Sequence, residues 1–174
     1  MLLDSSHKAT LLEEEELAQQ EKDFTGYKHG LVRLNPGRWL FPAEFTKFAN
    51  GLFNFKWRNS DVVVMTYPKC GTNWTQEIIW TMRNNANFDH PLAMDPLMDR
   101  SPFFECDMFF AEEVVPGSSE MNECPSFQRL CPGADPKDGM YLQISEATPD
   151  PRTIKTHLPF SLLHHSMLDT AKVT

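Results

Sequence analysis

Lys69, Gly71, Thr72 and Asn73 fall together in Tyr67-Pro68-Lys69-Cys70-Gly71-Thr72-Asn73-Trp74. A mobile ammonium, a glycine that permits close backbone approach and two side chains carrying hydrogen-bond donors form a set suited to an anion. The spacing is not that of a Walker A loop, GxxxxGK[ST], because Lys69 precedes its glycine and the first glycine is absent. ATPase and nucleotide-kinase readings therefore lose their support. A second pair, Lys155 and His157, lies two residues apart in Thr153-Ile154-Lys155-Thr156-His157. On a strand such residues leave the same face and converge on one reacting group, with Thr156 turned the other way.

The first set needs a strand and a helix to hold it. Val62-Val63-Val64-Met65-Thr66-Tyr67 is an unbroken, β-branched run, as expected of a parallel strand buried on both faces, and Pro68 ends it. After Gly71, Trp74, Ile78 and Met82 recur every four residues, which predicts a helix from about Asn73 to Arg83. A strand, tight loop and helix in that order aim backbone N–H groups and the positive helix end at one spot. The second set sits on a strand bounded by Pro151 and Pro159, followed by a predicted helix over Ser161 to Leu168. His164 and His165 read as solvated residues on the polar face of that helix.

Elsewhere, Thr10-Leu-Leu-Glu13 has the form of a capping box ahead of a short surface helix reaching about Lys22, with Glu13 to Glu16 solvated. Gly26 to Gly37 is turn-rich. Phe45, Phe48, Ala49, Leu52 and Phe53 give the segment Phe41 to Trp57 the period of an amphipathic helix whose aromatics belong to the core. Asn84 to Pro151, dense in Pro, Gly, Asp and Met, predicts loops and short helices.

The 174 residues are 41% hydrophobic and 23% charged, enough apolar material for one domain with a core. With 16 Lys+Arg against 24 Asp+Glu the net charge is −8, which argues against a nucleic-acid partner while leaving room for one small basic pocket. No basic segment precedes an apolar run at the start and no stretch of about 18 apolar residues occurs, so no membrane role is expected and the cytoplasm is the expected location. Cys70, Cys106, Cys124 and Cys131 contain no CxxC pair and read as reduced thiols, and no metal site is expected.

Thr66-Tyr67-Pro68-Lys69-Cys70-Gly71-Thr72-Asn73-Trp74 resembles the TYPKSGTTW phosphosulfate-binding loop of the cytosolic sulfotransferases. Pro151-Arg152-Thr153-Ile154-Lys155-Thr156-His157-Leu158-Pro159 is similar to that family's PRxxKTHLP strand, and Arg100-Ser101-Pro102-Phe103-Phe104-Glu105 to its RxPFLE segment. The resemblance implies an α/β fold of three layers, a P-loop-like parallel sheet with flanking helices. It also implies transfer of a sulfuryl group from 3'-phosphoadenylyl sulfate, without a metal, to a small acceptor: a phenol, sterol, alcohol or amine. By it, Lys69 reaches the bridging and sulfuryl oxygens of the donor. Cys70, Gly71, Thr72 and Asn73 surround the 5'-phosphate and Trp74 stacks on the adenine. His157 is the general base, Lys155 assists the transferred group, and Phe103 lines the acceptor pocket.

Cys70 stands where the family usually has Ser or Ala, and Asn73 where it usually has Thr. The interval from Glu105 to Pro151 is longer than the pattern, which reshapes the acceptor side. The resemblance covers the N-terminal portion of a single sulfotransferase domain, residues 1–174. The family pattern runs on beyond Val173 into a strand and helix that bind the donor's 3'-phosphate, and later into a homodimer contact. Two function classes follow: a sulfotransferase, or a catalytically silent, truncated product that acts by binding or regulation.

Overall fold

The computed structural model describes residues 1–23, 30–110 and 124–174. Its centre is a parallel sheet. Strand β4 (Val62–Met65) lies between β5 (Thr153–Thr156) and β6 (Lys172–Val173), with Val62 opposite Thr153 and Met65 opposite Thr156. Val63, Val64 and Ile154 are fully buried, which matches the β-branched run read as a two-sided strand. The next strand, expected past Val173, already begins at Lys172, so both edges of β4 are paired.

Helix α3 (Thr72–Asn84) follows the loop after β4 and packs on β4 and β5. Its period is as expected, but the stripe Trp74, Ile78 and Met82 faces outward, at 78%, 53% and 73% exposure. The buried positions are Thr72, Gln76 and Trp80. Polar residues hold this inner face because they bond neighbouring backbone: the Gln76 amide donates to the Ser101 carbonyl, and the Ser101 hydroxyl donates to the Thr153 carbonyl at 2.9 Å. On the other face of the sheet the core gathers Val63 and Ile154 with Phe55, Trp57 and Phe104, which meet edge to face, and with Phe45, Ala49 and Leu52 of helix α2 (Phe45–Phe53). Helix α2 is shorter than the predicted segment at both ends.

An antiparallel sheet, β1 (Lys8–Leu11), β2 (Leu31–Asn35) and β3 (Trp39–Pro42), adds Val32 and Leu34 to the same core. Two sequence expectations give way here. Thr10 is a strand residue whose hydroxyl donates to the Arg33 carbonyl, so it does not cap a helix; the helix that follows, α1 (Glu14–Asp23), starts four residues later. The turn-rich stretch contains β2 and part of the hairpin to β3: Val32 and Leu34 are buried by pairing with Leu11 and Ala9, more than twenty positions away, and Leu31 by pairing with Pro42. Residues 24–29 and 111–123 lie outside the described part.

The remaining elements are short: α4 (Leu97–Arg100), α5 (Pro125–Leu130), α6 (Met140–Ala147), α7 (Ser166–Thr170) and single turns of 3₁₀ helix at Cys106–Phe109, Pro136–Asp138 and Phe160–Leu162. The helix predicted over Ser161 to Leu168 is broken at Leu163, whose backbone is extended. His164 is half-buried rather than solvated: its ring meets Phe53 edge-on and its Nδ1 accepts from the Ser166 N–H at the start of α7. His165 is exposed, as expected. Among the described residues no helix is long and apolar enough to cross a membrane.

The candidate active site at the ends of the parallel strands

Strands β4 and β5 run side by side in one direction, so the loop after β4 and the residue after β5 open on the same edge of the sheet, where ligands of open α/β sheets collect. Pro68, Lys69, Gly71, Thr72, Asn73, Trp74, Lys155 and His157 line a single cleft of about 390 Å³ there. Of the residues expected in the site, Cys70 does not line the cleft; its thiol donates back to the Tyr67 carbonyl at 2.7 Å. Phe103 reaches the site through its neighbours: its ring lies 4.3 Å from the Lys155 ammonium and 5.3 Å from the His157 ring, edge to face.

The loop backbone is built for an anion. Lys69 and Gly71 both adopt left-handed conformations, at φ 65° and 92°, and Gly71 caps α3. Lysine in that region costs about 1 kcal/mol, and such strain is found where a loop must hold a set shape. Helix α3 starts with no side-chain cap and no acidic residue in its first turn, which leaves its N–H groups and the positive helix end directed at the cleft. Thr72 is buried, and its hydroxyl meets that of Thr66 at 2.5 Å, pinning the loop to the end of β4. Among the described residues neither Lys69 nor Lys155 has an ion-pair partner, so two cations share this cleft without a protein anion between them.

His157 is held for use as a base. Its Nδ1 lies 2.8 Å from the Thr66 carbonyl oxygen, which can only accept. The Nδ1 therefore carries the proton and Nε2 is left as the basic nitrogen. Burial pushes the imidazole pKa below its ordinary value, the Thr66 bond opposes that shift, and the positive charge of Lys155 adds to it. The ring is neutral at pH 7.

One group escaped the sequence reading. Glu105 is 1% exposed, and its carboxyl accepts from the His157 backbone N–H at 2.6 Å and from the Thr156 hydroxyl at 2.7 Å. Its place at the end of Arg100-Ser101-Pro102-Phe103-Phe104-Glu105, the segment similar to RxPFLE, was a signal, but its partners lie more than fifty positions downstream. The strands also share a buried anchor away from the cleft, where the Arg152 guanidinium donates to both oxygens of Asp61.

Comparison with known proteins agrees with this geometry. Residues 59–173 match the family model described as "Sulfotransferase domain". Sulfotransferase 1A1 of Mus musculus is 34% identical over 125 residues, covering 72% of this chain and 33% of that protein. Luciferin sulfotransferase of Photinus pyralis is 33% identical over 126 residues, covering 72% of this chain and 30% of its own length. The chain thus spans about a third of the length of these curated relatives. Among solved structures, a retinol dehydratase in complex with retinol and PAP superposes with a TM-score of 0.74 at 23% identity, over 96% of this chain and 50% of that one. The fold is the same, and with a family match spanning the loop, both strands and His157, the chain belongs to the sulfotransferase family.

Proposed function

We propose that this protein transfers a sulfuryl group from 3'-phosphoadenylyl sulfate to the hydroxyl or amine of a small acceptor, with residues 1–174 forming the N-terminal portion of the domain. The observation that carries the proposal is the single cleft shared by the Lys69 to Trp74 loop, Lys155 and His157. The residues fit the donor: two cations without ion-pair partners among the described residues, an uncapped helix start and an exposed indole at Trp74 suit a phosphosulfate joined to an adenine. When bound, the donor supplies an activated sulfuryl group attached to a phosphate leaving group.

The chain's own residues do the rest. Lys69, Gly71, Thr72 and Asn73 hold the phosphosulfate oxygens, and Lys155 stands where charge develops on the transferred group. His157 Nε2 takes the proton of the acceptor hydroxyl or amine, and the Nδ1–H bond to Thr66 holds the ring as its proton affinity is used. Phe103 forms part of the acceptor wall. Phenols, sterols, alcohols and amines are the proposed acceptor class, and four free thiols fit a reducing cytosol as the compartment.

The loop is assigned to the 5' end of the nucleotide, which makes the proposal testable by binding alone. Calorimetric titration of the purified chain with adenosine 3',5'-bisphosphate should give at least about tenfold tighter binding than adenosine 3'-monophosphate, since each charge-assisted bond to phosphate contributes about 1.5–3 kcal/mol. Equal affinity for the two would remove the loop from the donor site.

A further inference from the structure

The segment Pro102–Glu105 runs along the outer edge of β5. The Lys155 N–H donates to the Pro102 carbonyl and the Phe104 N–H to the Lys155 carbonyl, each at 2.9 Å, with Phe103 bridged to Lys155. The chain then enters the 3₁₀ turn Cys106–Phe109, and this places the Glu105 carboxyl beneath the end of β5. One oxygen accepts from the His157 N–H and the other from the Thr156 hydroxyl, whose oxygen in turn accepts from the Leu158 N–H at 3.1 Å. A single fully buried carboxyl thus fixes the three consecutive residues centred on His157. The imidazole has its own anchor on the Thr66 carbonyl, so the ring is tied to β4 and its backbone to Glu105.

We propose that Glu105 is a positioning residue that sets the register between His157 and the acceptor wall. Phe103 and Glu105 belong to the same edge segment, so the ring that lines the acceptor side and the carboxyl that holds His157 move as one piece. The proposal rests on the reading of His157 as general base. Its physical content is that proton transfer requires the acceptor proton within hydrogen-bond reach of Nε2, and a misplacement of about 1 Å costs on the order of 10²-fold in rate.

The ionised carboxylate accepts both bonds; a protonated one keeps both partners only by reversing the Thr156 bond, donating to the second lone pair of a hydroxyl that already accepts from Leu158 and must turn its own proton elsewhere. Burial raises the Glu105 pKa to about 7, against the bonds from His157 and Thr156 and the charge of Lys155, which lower it. Acting on Glu105 are Lys155 of β5 and the His157 N–H just after it; on its own turn the Cys106 thiol, pushed up to about 12, stays neutral, and the Asp107 carboxylate is turned to the Tyr141 and Leu142 N–H groups. Above about pH 7 both bonds therefore run from protein donors to the carboxylate, and as pH falls through that value the clamp loosens because the Thr156 bond must reverse.

The test compares Glu105→Gln and Glu105→Ala with wild type in the full-length protein, measuring kcat against pH and, separately, affinity for adenosine 3',5'-bisphosphate. Expected is a loss of kcat of about tenfold or more in the alanine variant with donor-product affinity nearly unchanged. Glutamine, which keeps one acceptor for the His157 N–H, recovers part of the rate. The acid limb of the glutamine variant moves from near pH 7 to below 6.5, where only His157 titrates. A folded glutamine variant with the wild-type rate and pH profile overturns the proposal, as does loss of rate and nucleotide binding together in both variants. His157→Ala, run alongside, separates the two readings: if it keeps the wild-type rate the base assignment itself falls, and if only the Glu105 variants are silent the positioning role alone falls.

Discussion

His157→Ala in the full-length protein is expected to lower the rate of sulfuryl transfer by about 10²–10⁴-fold, the usual contribution of a positioned general base, with affinity for adenosine 3',5'-bisphosphate nearly unchanged. The split follows from the geometry. The Nδ1 proton of His157 is committed to the Thr66 carbonyl, so the ring offers the cleft a neutral nitrogen rather than a charge. A neutral nitrogen serves an acceptor proton; it contributes little to an anion. Because burial and Lys155 hold the imidazole pKa below its ordinary value, the base stays unprotonated into mildly acidic solution, and the limb set by His157, seen by itself in Glu105→Gln, lies below pH 6.5. Equal loss of rate and nucleotide affinity in His157→Ala would take the role of base away from it.

Lys69→Met should behave differently, reducing both quantities. Methionine keeps a Cβ at the left-handed position, so the backbone shape of the loop is carried over and the change isolates the charge. Losing a charge-assisted bond costs about 1.5–3 kcal/mol of ground-state binding, roughly ten- to hundredfold in affinity. The rate should fall further, by about 10²–10³-fold, because a group aimed at a developing charge in a water-poor site counts for more in the transition state than in the ground state. Single-turnover kinetics with saturating donor separate the two effects. A variant with weakened binding and an unchanged single-turnover rate would restrict Lys69 to holding the donor.

The parts of the site that were legible in sequence are those encoded locally. Val62 to Met65 announces its burial by β-branching, Pro68 and Gly71 mark the loop, and Pro151 and Pro159 bracket the strand that carries Lys155 and His157. What was illegible depends on partners far along the chain. Strands β1 to β3 are four or five residues each and exist by pairing with one another, so no local period exposes them. In α3 the period was right while the inward face was not, because Thr72, Gln76 and Trp80 meet the sheet and its neighbours with hydrogen bonds and a ring rather than an aliphatic stripe. Glu105 had no role assigned from sequence, because its two hydrogen-bond donors come from β5 and the residue after it, more than fifty positions away.

The central claim is that the cleft between the Lys69 loop and His157 transfers a sulfuryl group, and its most direct test is a transfer assay on the full-length protein. Wild type is incubated with ³⁵S-labelled 3'-phosphoadenylyl sulfate and, in turn, a phenol, a sterol, an aliphatic alcohol and an amine. Labelled organic sulfate or sulfamate is expected from at least one acceptor class, formed in proportion to protein. A protein that binds adenosine 3',5'-bisphosphate yet transfers label to none of the four would contradict it.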